Sequence, residues 1–364
     1  MKKLSLWLFC GLLFLSGCQQ SDVLTTESSA TAASDVAVAT HSDGGNDDGL
    51  EVTSVPTDFK GRLSTVGLYF DTVVTIVTYD VEESVLDQAL EECAKYEALL
   101  SKTVEGSDVW KINHAEGQPV TVSDDTRVIL ETALELGDAS GGRLDVTIAP
   151  VVSLWDFTGE NPTLPDKEEV AAAMKNVDYR QIKLDDNVVT IPAGYSIDLG
   201  AIAKGYIADQ VAVFLKQKGV HHGLLNFGGN VVVIGDKPDG SPWSVGIQDP
   251  DEETGTYLTA IQVIDRSVVT SGIYERGFDL NGVRYHHILD TDNGWPLQND
   301  LASVTIVSES SMLGDALSTS CLALGYEDAL ALLQHYPEAE ALFISRDGVI
   351  NATEGAAEML LDVA

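Results

Sequence analysis

The chain has 364 residues, with 57 Asp and Glu against 21 Lys and Arg, which gives a formal net charge of −36. This excess of negative charge excludes nucleic acid as a partner, because binding to phosphates requires a basic face. The acidity is typical of a protein kept soluble in an exposed setting, and the length is sufficient for a body with a sizeable core.

The N-terminal residues have the three parts of a bacterial lipoprotein signal. Lys2 and Lys3 form a basic start, residues 4–15 form an apolar run too short to span a bilayer, and Leu15-Ser-Gly-Cys18 matches a lipobox. The pattern predicts that residues 1–17 are removed and that Cys18 becomes the lipid-modified, palmitate-bearing first residue. A plain secretory signal is the alternative. We therefore expect a protein anchored to the extracytoplasmic face of the cell membrane.

Residues 18–62 have a composition that differs from the rest of the chain. They are rich in Ser, Thr, Ala, Asp and Gly, with His41-Ser-Asp-Gly-Gly-Asn-Asp-Asp-Gly49 at their centre. Such a segment cannot bury enough apolar surface to offset the entropy lost on ordering. It predicts a lipid-anchored, flexible, acidic stalk, followed by a single body over residues 63–364.

The body is predicted to mix strands and helices. Helical periodicity covers residues 83–101, 126–139, 167–174, 203–218, 311–324 and 327–335. Strand patterns cover residues 73–79, 188–191, 224–227, 230–234, 244–248, 258–263, 267–270 and 303–307. Because the two types do not alternate regularly, the order favours the α+β class over a doubly wound sheet.

Two cysteines remain in the body, Cys93 and Cys321. Each lies in an apolar helical pattern, which predicts two buried thiols. A disulfide between them is the alternative, since such bonds form outside the cell.

The segment Asp198-Leu-Gly-Ala-Ile-Ala-Lys-Gly205 opens a predicted helix. Its two glycines permit close approach of the backbone, and free N–H groups at a helix start beside a lysine favour an anionic group. The segment matches neither a Walker A loop nor a Gly-x-Gly-x-x-Gly fingerprint, so the standard nucleotide folds are not indicated. An ordinary glycine-containing helix entry is the alternative.

Asp315 and Thr319 are four residues apart in another predicted helix and therefore share a face. A carboxylate and a hydroxyl, with a backbone carbonyl, suit Mg²⁺, which retains waters and takes phosphates as ligands. The alternative is a helix-start Asp followed by a Thr that bonds back to its carbonyl.

His287 follows His286 and precedes the turn-rich segment Asp290-Thr-Asp-Asn-Gly294. An imidazole is the natural acceptor for a hydroxyl proton near neutral pH. A purely structural histidine is the alternative, and His221 and His222, in a polar turn, are predicted to be structural. No histidine or cysteine spacing indicates zinc.

Taken in order, these segments resemble the ApbE family of FAD:protein FMN transferases from about residue 70 to 324. The matching motifs are Phe70-Asp-Thr72, Gly142-Arg-Leu-Asp-Val-Thr-Ile-Ala-Pro150 with Leu154-Trp155, Asp198 to Gly205, Asn226-Phe-Gly-Gly-Asn230, Thr270-Ser-Gly272 with Arg276, His287-Ile-Leu-Asp290 and Gly314-Asp-Ala-Leu-Ser-Thr319. Relatives usually have Met-Gly-Thr in place of Phe70-Asp-Thr72, and often an aromatic residue in place of Thr103.

The resemblance implies an α+β, T-fold-like body with two lobes of mixed sheet and helix and a flavin cleft between them. It implies that His287 is the catalytic base. It also implies metal ligands at Ala201, through its carbonyl, and at Asp315, Ser318 and Thr319. The FAD contacts that it implies are Phe70, Thr103, Arg143, Leu144, Asp145, Lys204 and Leu289.

The reaction implied is Mg²⁺-dependent transfer of the FMN half of FAD to a Ser or Thr hydroxyl, with release of AMP. FAD is then a consumed substrate. The implied acceptor is an exported FMN-binding domain or a flavin-carrying subunit of a membrane redox complex. Two alternatives remain, a hydrolase that converts FAD to FMN and AMP, and a non-catalytic flavin-binding lipoprotein.

Overall fold

The structure, a computed structural model, describes residues 36–38, 61–79, 81–159, 162–253 and 255–361. The signal segment, Cys18 and nearly all of the stalk lie outside these residues and remain predictions. Among the described residues, no helix has the length and apolar character needed to cross a membrane.

An eight-stranded sheet forms the centre of the body, and every neighbouring pair in it is antiparallel. From one edge to the other its strands are β16 (Ile350–Ala352), β15 (Glu340–Ser345), β14 (Leu301–Ser308), β11 (Ser267–Gly272), β8 (Asn230–Ile234), β7 (Gly223–Phe227), β3 (Thr72–Tyr79) and β2 (Arg62–Tyr69).

Three smaller sheets complete the strands of the described residues. The first contains β1 (Val36–Val38), β9 (Trp243–Gln248), β10 (Tyr257–Val263) and β17 (Leu360–Leu361). The second contains β4 (Val120–Thr121), β6 (Val188–Thr190) and β5 (Lys183–Asp185), and the third is the hairpin of β12 (Gly277–Leu280) and β13 (Val283–His286). Strand β1 lies within the predicted stalk and runs parallel to β9.

The helices lie between these strands in the chain. They are α1 (Glu83–Leu100), α2 (Asp108–Asn113), α3 (Asp124–Ala139), α4 (Ala149–Val152), α5 (Lys167–Ala173), α6 (Ala203–Gln217), α7 (Ser311–Leu324), α8 (Tyr326–Leu333) and α9 (Glu354–Met359). Short 3₁₀ turns occupy Val146–Ile148, Met174–Asn176 and Tyr179–Gln181.

The central sheet is buried on both faces. Successive residues of a strand point to opposite sides, so Leu225 and Val232 join the core that contains α1, α6 and α7, whereas Leu224 and Val231 join a second core with Trp243 of β9. Strands β7, β8 and β14 are therefore buried at every position, as strands covered on both faces are.

Helices α6 and α7 cross with their backbones in contact at Gly205. A Cβ at this position would lie 2.1 Å from the carbonyl oxygen of Ser311, so only glycine fits. One turn further along α6, Asp209 accepts hydrogen bonds from the backbone N–H groups of Ser311 (2.8 Å) and Met312 (3.0 Å) at the start of α7. The two helices that carry the predicted phosphate and metal residues are thus held in a fixed relation.

The structure confirms the α+β class and most of the predicted elements. The patterns over residues 230–234 and 311–324 coincide with β8 and α7, and Cys93 and Cys321 are both free and buried, so the disulfide alternative is wrong. His222 is bonded through Nδ1 to the carbonyl of Asp236 at 2.8 Å, as expected of a structural histidine. Strands β2, β12, β13 and β15 were not predicted, nor were the short strands β1, β4, β5, β16 and β17 and the short helices α2, α4 and α9.

Candidate active site

A cleft of about 680 Å³ lies where the β2–β3 turn, the β7–β8 turn, the end of β11, the residues after β13 and the facing side of α7 meet. This volume lies within the range of cofactor-sized sites. Ten of the predicted site residues line it, namely Phe70, Arg143, Leu144, Asp145, Ala201, Lys204, His287, Leu289, Asp315 and Thr319. Thr103 and Ser318 do not.

The predicted metal group lies at the N-terminal end of α6. Gly205 is the third residue of this helix, so its N–H has no acceptor within the helix. It donates to Oδ2 of Asp315, at 2.9 Å, and Asp315 is 2% exposed. Ala201 precedes the helix and lines the same cleft, so its carbonyl is not committed to the helical hydrogen bonds. The main chain can therefore supply an oxygen ligand for a cation.

Ser318 and Thr319 differ in their positions relative to the cleft. Thr319 lines the cleft, with its hydroxyl 3.1 Å from that of Ser271. Ser318 is fully buried, donates to the Asp315 carbonyl at 3.0 Å and lies 2.8 Å from the same Ser271 hydroxyl. The structure thus places Ser318 where it fixes Asp315 and Ser271 rather than where it faces the cleft.

The donor set suits a hard cation that keeps its waters. Among the described residues no three His, Cys, Asp or Glu side chains cluster as metal ligands do. The group instead combines one carboxylate, one hydroxyl and one carbonyl, all oxygen donors, which fits Mg²⁺ better than zinc. Nζ of Lys204 lies 3.5 Å from Oδ1 of Asp315 and donates to the Gly200 carbonyl at 2.8 Å. Its positive charge therefore stands beside the same group.

His287 is held by the carbonyl of Arg276. That oxygen lies 3.1 Å from the backbone N of His287 and 3.3 Å from its Nδ1. Because a carbonyl only accepts, Nδ1 carries the proton and Nε2 is left as an acceptor. Burial, and then the positive charge of Arg276, lowers the pKa of His287 to about 3. The ring is consequently neutral near pH 7, and its Nε2 carries no proton.

His286 points away from the cleft, as the alternation of a strand requires. It is fully buried, and its Nε2 donates to the carbonyl of Leu297 at 3.1 Å. Burial lowers its pKa to about 4. Of the two adjacent histidines, only His287 lines the cleft.

The β2–β3 turn brings Phe70 to the cleft in a backbone conformation that is rare for such a residue. Phe70 and Asp71 have φ of 58° and 55°, the left-handed pair of a type I′ turn that Asn-Gly normally occupies. The N–H of Phe70 donates to Oε1 of Glu97 at 2.7 Å, and Arg276 donates to the Asp71 carbonyl at 3.0 Å. The turn is therefore clamped from two sides.

The predicted FAD segment 143–145 is tied to the residues that follow His287. Arg143 Nη1 lies 2.9 Å from Oδ1 of Asp290 and 2.7 Å from Oδ2 of Asp292. Asp145 accepts from the backbone N–H of Thr147 (2.8 Å) and Tyr179 (3.0 Å), and burial raises its pKa despite these bonds. The Asp145 carboxylate thus borders the cleft while accepting hydrogen bonds from the backbone.

Two predicted FAD contacts have different outcomes. Leu289 lines the cleft and is 8% exposed. Thr103 lies outside, with its hydroxyl 3.0 Å from that of Ser101. Lys102 takes its place on the wall and pairs with Asp198 at 2.6 Å. Thr103 does not line the cleft, and an FAD contact at this residue stays a prediction.

Among the cleft residues that were not predicted as site residues, four supply aromatic rings or polar groups. Trp155 and Phe157 supply stacked rings, with centroids 5.2 Å apart, on one part of the wall. Asn230 and Glu275 supply polar groups on another. Burial raises the pKa of Glu275 to about 7, against the lowering effect of nearby positive charges. The Asn226-Phe-Gly-Gly-Asn230 motif was a signal for the first polar residue, but no pattern marked Glu275.

The lowered pKa of His287 leads to a testable expectation. An unperturbed histidine titrates near pH 6.5, whereas His287 should stay neutral as the pH falls from 8 to 5, because its pKa is lowered to about 3. NMR of the folded body with ¹³C,¹⁵N-labelled histidine, assigned by loss of the signal in His287→Asn, should show no titration of this ring. A midpoint near pH 6.5 would contradict the assigned environment.

Comparison with known proteins identifies one family to which this chain is similar. The model of the ApbE family matches residues 70–343. An FAD:protein FMN transferase of Klebsiella pneumoniae (strain 342) is 34% identical over 278 residues, covering 75% of this chain and 86% of the relative. That of Treponema pallidum (strain Nichols) is 36% identical over 287 residues, covering 74% of this chain and 79% of the relative.

Solved structures show the same similarity. The ApbE protein of Thermotoga maritima superposes with a TM-score of 0.75 at 31% identity, over 82% of this chain and 99% of the other. The flavinyl transferase ApbE of Pseudomonas stutzeri, in its apo form, gives a TM-score of 0.72 at 28% identity, over 82% of this chain and 96% of the other.

Proposed function

Since the chain belongs to the ApbE family, we propose that it is a Mg²⁺-dependent FAD:protein FMN transferase whose acceptor is a Ser or Thr hydroxyl of an exported or membrane flavoprotein. One observation carries the proposal. His287, a neutral histidine whose Nε2 is left as an acceptor, lines the same cleft as Ala201, Asp315 and Thr319, which carry oxygen donors. A flavin-binding protein without activity has no need of both groups.

The chemistry is a displacement at phosphorus. His287 would take the proton of the acceptor hydroxyl at Nε2, and that oxygen would form a bond to the phosphorus of the FMN half. The bond from this phosphorus to the bridging oxygen breaks, and AMP departs with the bridging oxygen and its electron pair. FAD and protein hydroxyl thus give a flavin phosphodiester on the protein, AMP and one proton.

The residues around Asp315 would hold the pyrophosphate. Ala201, Asp315 and Thr319 are the ligands that fit Mg²⁺, with Ser318 bracing them from behind. When bound, the ion would neutralise the phosphates and stabilise the departing AMP. Lys204 would add a fixed positive charge beside the same oxygens, at a position where positive charge stabilises the transition state. Phe70, Trp155 and Phe157 offer apolar faces for the rings of FAD.

Incubation of the body with FAD, Mg²⁺ and a recombinant FMN-binding domain, followed by intact-mass measurement, tests the proposal. A mass gain of one FMN on the acceptor, with AMP in the small-molecule fraction, is expected. FMN found only in solution would identify a hydrolase. Bound FAD that stays intact would identify a non-catalytic binding protein.

The anchored location is proposed on the lipobox alone. Replacing Cys18 with Ala removes the thiol that accepts lipid, so the protein should lose palmitate labelling and leave the membrane fraction. Its catalytic body should transfer FMN normally in solution, because the stalk separates the two parts. Labelling of cells with radioactive palmitate, with the wild-type chain as control, measures this, and continued labelling of the Cys18→Ala protein would contradict it.

A further inference from the structure

The cleft has a polar floor that the proposed chemistry does not use. The β7–β8 turn brings Asn230 there, where its side chain is 2% exposed and its Nδ2 donor has no hydrogen-bond partner among the described residues. A buried amide that lacks a partner costs about 1–3 kcal/mol. A group retained at such a cost inside a binding cleft indicates a ligand that accepts its hydrogen bond.

Glu275 supplies a matching acceptor. Its carboxylate lies over the same turn, so that a Cβ built on Gly229 would be 3.7 Å from Oε1 and 3.5 Å from the carbonyl of Thr270. Gly229 has φ of 100°, a conformation that favours glycine. Because glycine has no side chain, the turn leaves room for the carboxylate. Donor and acceptor thus flank one small part of the floor.

This pair does not suit the pyrophosphate. A phosphate oxygen would satisfy Asn230, but it carries no proton to donate to an acceptor such as the Glu275 carboxylate. The aromatic rings of FAD find their apolar partners on other segments, at Phe70, Trp155 and Phe157. The floor instead fits a group that presents an acceptor and a donor together, as a peptide unit does.

The position of Asn230 and Glu275 relative to His287 also favours a peptide unit as the ligand. Glu275 directly precedes Arg276, whose carbonyl holds His287. In the β12–β13 hairpin Gly277 is opposite His286, so the two strand ends bring Glu275 and His287 to one side of the cleft. A base must approach the hydroxyl to about 3 Å, and the main chain on either side of that hydroxyl therefore passes close to this floor.

From these observations we propose that Asn230 and Glu275 form a subsite for the main chain of the acceptor protein, beside the Ser or Thr that receives FMN. Asn230 donates to a carbonyl of the acceptor, and Glu275 accepts from one of its N–H groups. The subsite rests on the proposed transferase function and adds the means by which an extended protein segment is held for attack.

The test uses Glu275→Gln and Asn230→Ala, with Glu327→Gln on the exposed side of α8 as the control. Transfer from FAD to a recombinant FMN-binding domain is measured over a range of acceptor concentrations, and FAD affinity is measured separately by fluorescence quenching. The KM for the acceptor is expected to rise about tenfold in Glu275→Gln and about fivefold in Asn230→Ala. The affinity for FAD should change less than about twofold, the melting temperature should stay near that of the wild type, and Glu327→Gln should match the wild type throughout.

Any other result contradicts the proposed subsite. An unchanged acceptor KM in both variants shows that the pair does not contact the acceptor. A loss of FAD affinity by the same factor assigns the floor to FAD instead. A wild-type enzyme that transfers no FMN overturns the proposed function and the subsite with it, whereas normal wild-type transfer with unchanged variants overturns the subsite alone.

Discussion

Replacement of His287 by Asn is expected to lower FMN transfer by about 10²- to 10⁴-fold, the usual contribution of a positioned general base. FAD affinity should stay close to that of the wild type, because the ring is held by the Arg276 carbonyl and offers only Nε2 to the cleft. Transfer rate, FAD affinity and melting temperature should be measured on one preparation.

The neighbouring histidine provides a matched control. His286→Asn alters a fully buried ring that does not line the cleft, so it should lower the melting temperature while residual transfer follows the folded fraction. If His287 were only structural, its variant would behave in the same way. A His287→Asn protein that transfers FMN at a near-native rate would end the assignment of this residue as the base.

Replacement of Asp315 by Ala is expected to lower transfer by about 10²-fold or more, the scale of losing a ligand from a minimal metal set. The substitution removes the only carboxylate among the proposed ligands Ala201, Asp315 and Thr319. It also removes the acceptor for the Gly205 N–H. The affinity for Mg²⁺, measured by calorimetry without FAD, should fall together with the rate.

Asp315→Asn separates these two effects. The amide oxygen still accepts the hydrogen bond from Gly205, so the α6–α7 crossing should keep its stability, but the negative charge is gone. We expect this variant to melt near the wild-type temperature and yet to bind Mg²⁺ weakly. Full turnover of Asp315→Ala in the presence of a chelator would contradict a role of Asp315 in metal binding.

The elements that the sequence predicted well are those with long, uniform burial. Strand β8 is buried at every position and helix α7 at ten of its fourteen positions, and the spacing of their apolar residues is therefore clear. Strand β2 was not predicted, because it lies at the sheet edge and alternates half-buried residues with exposed ones such as Val66 and Leu68. Because β2 directly follows the polar stalk, its pattern was not recognised as a strand.

The β12–β13 hairpin was missed although its signal was present. Asn281 and Gly282 form its two-residue turn, with φ of 53° and 79°, and Asn-Gly is the strongest short-range signal for such a hairpin.

Prediction of the site was limited by contacts between residues distant in the chain. The resemblance located Ala201, His287, Asp315 and Thr319, but the bond that joins their two segments, from the Gly205 N–H to Asp315, links residues 110 apart in the chain. No local pattern contains that information.

The clamp on the β2–β3 turn has a consequence for the timing of activity. Arg276 reaches back 205 residues to the Asp71 carbonyl, while its own carbonyl holds His287. Contacts so distant in sequence form late, since loop closure must precede them. A chain that has not yet folded therefore has no closed cleft. If export occurs before folding, the cytoplasmic pool of FAD is protected from cleavage without any separate inhibitor.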